Sequence, residues 1–169
     1  MPIEIFDNGE IKKVSAKKKS SEILKLLKYV CTDIIDGNNY ENLINFFISK
    51  LSSILKSYSV CVSIKVYHQN NKQVLSTVGT WYDYDILDKP IKIKGSSVLS
   101  HLFGTSSLTN KYIVSNRIKK DTRYSPITSS SFKFNPQDDD SFFSAPLYKR
   151  NKTPIGQVSF FKRGDFDLD

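Results

Sequence analysis

Few residues in this chain carry the chemistry of nucleophiles or metal ligands: the histidines are His68 and His101, and the cysteines are Cys31 and Cys61. No two of them stand at metal-site spacing, and no CxxC pair occurs, so neither a metal nor a covalent chromophore is expected. The serine-rich segments lack a GxSxG elbow and there is no GxxxxGK[ST] phosphate loop, which leaves no catalytic constellation and predicts a non-enzyme. Cys31 and Cys61 sit in apolar segments that read as helix and strand, the setting of buried thiols in a reducing compartment. His68 falls in a turn and reads as solvated. His101 lies on a short helix, where a hydrogen-bonded structural imidazole is the preferred reading.

Charge gives a second candidate site. The formal net charge is +8, and its centre is the stretch Lys89, Lys92, Lys94, Lys111, Arg117, Lys119, Lys120 and Arg123, opposed in sequence only by Asp121. Guanidinium forks and ammonium groups suit phosphate and carboxylate, so this stretch attracts an anion such as a nucleotide or organic acid, or else is a solvated basic face. The stretch has no arginine-rich helix and no basic run interleaved with aromatics, and direct nucleic-acid binding is not expected.

The elements that must position these groups are legible from periodicity. Residues 1–20 are polar, with Lys17, Lys18 and Lys19, and read as a solvated leader. A helix is predicted over 21–35, its broad apolar stripe including Ile23, Leu27, Val30 and Ile34. One flank of that stripe suits a sheet and the other a partner subunit, making these four residues the candidate dimer surface. A second helix follows from Tyr40, Leu43, Ile44, Phe47, Ile48, Leu51, Ile54 and Leu55. Alternation from Ser59 predicts a strand, a turn at 68–72 and a second strand at 73–80. A short strand is expected at 90–94, then a helix with Val98, Leu99, Leu102 and Phe103 inward and Gly104 at its C-terminus, then a strand at 112–114. Residues 115–140 read as a long polar loop, and strands at 142–148 and 156–162 close the chain. This order predicts an α+β domain over 21–169, with an antiparallel sheet of five to six strands and helices on its faces. No run of about 18 apolar residues and no signal peptide are present, so a soluble, cytoplasmic chain is expected.

Between residues 40 and 166 the chain resembles a GAF domain, a PAS-related sensory module. Gly95-Ser96-Ser97-Val98-Leu99-Ser100-His101-Leu102-Phe103-Gly104-Thr105 is similar to the family's glycine, short helix and "tGk" stop. Lys120-Asp121-Thr122-Arg123-Tyr124 resembles its "DpRy" element, Phe142-Phe143-Ser144-Ala145-Pro146-Leu147 its "sxxxxPL" strand, and Ile155-Gly156-Gln157-Val158-Ser159-Phe160 its closing "iGvlsl" strand. Thr122 replaces the usual proline, Arg117 replaces an acid, and Asn110-Lys111 is not followed by the Phe and acidic pair of the cyclic-nucleotide binders. The family's last helix would begin where the chain ends, which suggests a piece of a longer protein or a variant without that helix. The resemblance implies a regulatory domain that binds a small molecule or dimerises. Trp81, His101, Phe103, Tyr112, Phe142 and Ser144 are then candidate pocket residues, the His101 imidazole as a ligand contact or, as in some members of the family, a haem-iron ligand, and Asp121 and Arg123 are either ligand contacts or an ion pair pinning their loop. A ligand-free interaction module is the alternative, and a methionine-sulfoxide-reducing enzyme a more distant one, since such enzymes need cysteines at the pocket.

Overall fold

Alternating side chains on paired strands give this protein its frame. The computed structural model describes residues 2–7, 10–15, 40–67, 73–95, 101–124, 134–148 and 153–166. Its elements are β1 (Pro2–Asp7), β2 (Glu10–Ser15), α1 (Tyr40–Leu55), β3 (Ser59–Tyr67), β4 (Gln73–Tyr82), β5 (Lys94–Gly95), α2 (Leu102–Thr109), β6 (Tyr112–Ser115), β7 (Asp140–Tyr148) and β8 (Pro154–Arg163). All strands join one sheet in the order β2-β1-β6-β7-β8-β3-β4-β5. The stretch from β6 to β5 is antiparallel throughout, the six-stranded α+β arrangement expected from the sequence.

Consecutive residues point to opposite faces of a sheet, and two cores result. On one face α1 packs over β3 and β4, with Ile48, Leu51 and Leu55 meeting Val60, Val114, Phe143 and Phe160. On the other face α2 covers β6, β7 and β8, and Leu102 and Phe103 meet Ile113, Phe142 and Phe161. The neighbouring pairs Phe142/Phe143 and Phe160/Phe161 thus fill both cores at once.

Three expectations are corrected. Residues 2–15 are not a free leader: β1 pairs antiparallel with β2 and parallel with β6. Phe6 is buried, and Glu4 bonds Lys111 at 2.7 Å. The strand expected at 90–94 is reduced to β5, two residues paired with Leu75 and Ser76. The pocket-side helix runs on past Gly104, which lies within α2, and ends at Asn110 in the left-handed conformation (φ 57°, ψ 34°). Asn is one of the few non-glycine residues that tolerate that conformation. Three hydroxyls of its Ser/Thr run are absorbed by carbonyls, with Thr105 Oγ1 donating to His101 O at 2.9 Å, Thr109 Oγ1 to Thr105 O at 2.7 Å and Ser106 Oγ to Lys111 O at 2.7 Å. Helix 21–35, with Ile23, Leu27, Val30 and Ile34, lies outside the described residues, as do Cys31, His68, Val98 and Leu99.

Candidate functional site

The space between α2 and the sheet, where the sequence placed a pocket, is occupied by rings. Phe103 is wholly buried. Its ring centroid lies 5.1 Å from both His101 and Phe142, 5.5 Å from Phe161, 5.9 Å from Tyr124 and 6.0 Å from Phe134. Most of these contacts are edge-to-face, the favourable geometry for aromatic quadrupoles. His101 is buried in this cluster at the N-cap of α2. Gln157, at no exposure on β8, clamps the helix to the sheet. Its Oε1 accepts from the Ser107 amide at 3.1 Å, and its Nε2 donates to Phe103 O and to Ser159 Oγ. Ser144, fully buried, completes the polar row through Ser159 at 3.2 Å and Val158 O at 3.1 Å.

Trp81 and Tyr112 instead pack with the α1 core on the opposite face. The aromatic set expected to converge on one pocket is therefore divided by the sheet, because Trp81 faces the same way as Val60, its register partner on β3. Asp121 and Arg123 use one another. The guanidinium donates from Nε to Asp121 Oδ1 at 2.9 Å and from Nη2 to Oδ2 at 2.7 Å, while the Arg123 amide also reaches Oδ1. Nη2 further reaches Val114 O at 3.2 Å. Of the two readings left open by the sequence, the observed geometry is that of the ion pair that pins the loop.

Much of the basic stretch is matched by acids from distant parts of the chain. Lys111 pairs with Glu4, Arg117 with Asp165 and Lys119 with Asp138. No salt bridge among the described residues engages Lys89, Lys92 or Arg163, and these three cations share one place.

That place is a cleft of about 600 Å³ at the end of the sheet, within the range of small-molecule sites. Its wall is the 86–92 loop, bringing Ile86, Leu87, Asp88, Lys89, Ile91 and Lys92. The loop is shaped at its root: the Asp83 amide bonds Tyr58 O at 2.8 Å, and the Asp83 carbonyl accepts from the Leu87 amide at 2.9 Å. Phe134, Asn135 and Gln137 form the facing side, with Arg163 at the mouth. At the floor are Tyr58, just before β3, and Asp140, the first residue of β7 and the register partner of Arg163.

Both floor residues are almost fully buried. Asp140 Oδ2 accepts from the Gln137 amide at 2.6 Å. Its other oxygen, Oδ1, and the Tyr58 hydroxyl face each other at the floor, where the phenol's hydrogen bonding to the carboxylate acts on both groups, and neither has a second partner among the described residues. Burial raises the Tyr58 phenol above its ordinary value, and the facing Asp140 raises it further. Burial also raises the Asp140 carboxyl, aided by Asp139 and opposed by the Gln137 amide, Tyr58 and Arg163. A raised carboxyl binds its proton more tightly in the fold than in the unfolded chain. Its contribution to stability is thus complete below the ordinary value of 3.8 and is lost as pH rises through the folded one. Neither Tyr58 nor Asp140 stood out in the sequence. One looked like a strand lead-in and the other like the end of an acidic loop; only the pairing of β7 with β8 brings Asp140 beside Arg163.

Cys61 is buried on the α2 side of β3, 3.4 Å from Ser63 Oγ and 3.5 Å from Thr77 Oγ1. Burial pushes its thiol up, away from the thiolate a nucleophile requires. No group of three metal-ligating side chains occurs among the described residues.

The fold is similar to that of solved GAF domains. The structure of the GAF domain from a phosphoenolpyruvate-protein phosphotransferase of Coxiella burnetii matches with a TM-score of 0.55 at 13% identity, over 87% of this chain and 81% of that one. The nlh2 GAF domain of A. aeolicus, in an inactive state, matches at 0.56 and 12% identity, over 86% and 80%. A free methionine-R-sulfoxide reductase from Neisseria meningitidis, in complex with its substrate, matches at 0.57 and 12%, over 92% and 81%. No family model and no curated protein matches the sequence. The chain has the GAF fold.

Proposed function

We infer that this domain is a non-catalytic regulatory sensor that binds a small organic anion in the cleft between the 86–92 loop and 134–137, and passes the bound state to a partner module. The observation that carries this reading is the concentration of Lys89, Lys92 and Arg163, none in a salt bridge among the described residues and together outnumbering the lining acids Asp88 and Asp140, around a concave and partly apolar site. Such a rim favours carboxylate or phosphate. The GAF fold, which the GAF domains cited above share, supports a regulatory role. A cytoplasmic setting belongs to the same reading, and among the described residues no helix is long and apolar enough to cross a membrane.

A reductase reading draws on the fold shared with the methionine-R-sulfoxide reductase. It is the weaker of the two, because Cys61 is a protonated, buried thiol outside the cleft, and attack on a sulfoxide needs an accessible thiolate.

Thermal-shift screening against phosphates, nucleotides and mono- and dicarboxylates tests the proposal. At least one anion should raise the melting temperature by several degrees, and Lys89→Gln with Lys92→Gln should reduce that shift. A melting temperature unmoved by the whole panel, from a protein that light scattering finds dimeric, would favour a ligand-free interaction module working through the apolar stripe of Ile23, Leu27, Val30 and Ile34.

A further inference from the structure

We propose that the cleft recognises a small zwitterion of amino-acid size, its ammonium group held at the floor by Asp140 and Tyr58 and its acid group at the rim by Lys89, Lys92 and Arg163. This rests on the cleft being the ligand site. It goes further by assigning the floor a sign opposite to that of the rim.

A simple anion satisfies only the rim. At the floor it would bring negative charge toward Asp140, a buried carboxylate that faces only the Tyr58 hydroxyl and the Gln137 amide. An ionised carboxylate has more acceptor sites than these two neighbours fill, and at a concave site a donor from outside the chain can complete it. An ammonium group supplies it, donating to Asp140 Oδ1 and Tyr58 Oη while neutralising the buried charge. Arg163 does not supply it: although opposite Asp140 in register, it is exposed and forms no salt bridge to that carboxylate. The groups facing Asp140 are thus Tyr58 from the approach to β3, Arg163 from β8, and Asp139 and the Gln137 amide from its own approach. Leu87, Ile91 and Phe134 between floor and rim offer apolar contact to the body of the ligand.

The test is a calorimetric and thermal-shift comparison of the free amino acids with their N-acetyl derivatives, which lack the ammonium, and their amides, which lack the carboxylate. At least one free amino acid should bind, with both of its derivatives weaker by about tenfold or more. Asp140→Asn should abolish the response while leaving the unliganded protein at least as heat-stable as the wild type at neutral pH, because asparagine still accepts from the Gln137 amide without a buried charge. Tyr58→Phe should weaken binding and provides a second variant should Asp140→Asn fold poorly. N-acetyl derivatives that bind as well as the free acids, or an Asp140→Asn protein that keeps its full response, would overturn the zwitterion and leave the anion site standing. A protein that responds to neither amino acids nor simple anions would overturn both.

Discussion

Gly156→Ala is expected to cost more than about 4 kcal/mol, beyond what most single substitutions do, and to leave little folded protein. Gly156 lies in β8 between two partners, opposite Ile64 of β3 and Leu147 of β7. A Cβ there would stand 2.1 Å from Ser63 O and 2.8 Å from Ile64 Cα. Both are backbone atoms, so no rotamer relieves the clash; β3 and β8 must separate, breaking the ladder at the centre of the sheet. Gly164→Ala is the informative control. Gly164 has a positive φ of 74° but open space around its Cα, so alanine there meets only backbone strain, about 1 kcal/mol. Urea denaturation of the two variants separates the cases. A Gly156→Ala protein as stable as Gly164→Ala would mean that β3 and β8 do not pair in this register.

Phe103→Ala is expected to lose about 3–5 kcal/mol, the range for truncating a buried aromatic. Phe103 is the ring on which the α2 core converges, touching side chains from the N-cap of α2, the loop after β6, the approach to β7, and β7 and β8 themselves. Gln157 and its bonds to Ser107 and Phe103 O hold the backbone of α2 in place, so the site can collapse only partly and a void should remain. A melting temperature lower by roughly 10 °C is expected for a domain of this size, partly restored by benzene or indole entering the void. A stability loss below about 1 kcal/mol would show that Phe103 is not a keystone of that core.

These two residues also mark what was legible in the sequence. Gly156 and Gln157 stand in the closing strand motif, and the frame around them, α1 and the β3–β4 and β7–β8 pairs, followed from 3.6-residue and two-residue periodicities. The N-terminal hairpin was legible too and was missed. Ile3 and Ile5 alternate with Glu4 ahead of Asn8-Gly9, a strong dipeptide signal for a tight hairpin, but the lysines that follow drew the whole segment into a leader. Phe103 was recognised as a pocket-side residue, yet a list of aromatic residues cannot tell lining from filling, which is decided by packing across the sheet. The cleft was the least legible. Lys89 and Lys92 were visible as charge, but their relation to Tyr58, Asp140 and Arg163 arises from strand pairing between residues far apart in sequence, and the partners of Lys111, Arg117 and Lys119 come from equally distant segments.

The central claim is one of location: ligands enter at the end of the sheet, not beneath α2. The most direct measurement is an amide NMR titration of isotope-labelled protein with the compound of either panel that raises the melting temperature most. Perturbations should concentrate at Tyr58, 86–92, 134–140 and Arg163, leaving Ser107, Ser144 and Gln157 nearly unmoved. Shifts centred on Phe103, Ser107 and Gln157, with the 86–92 loop unaffected, would place the ligand under α2 and contradict the cleft as the binding site.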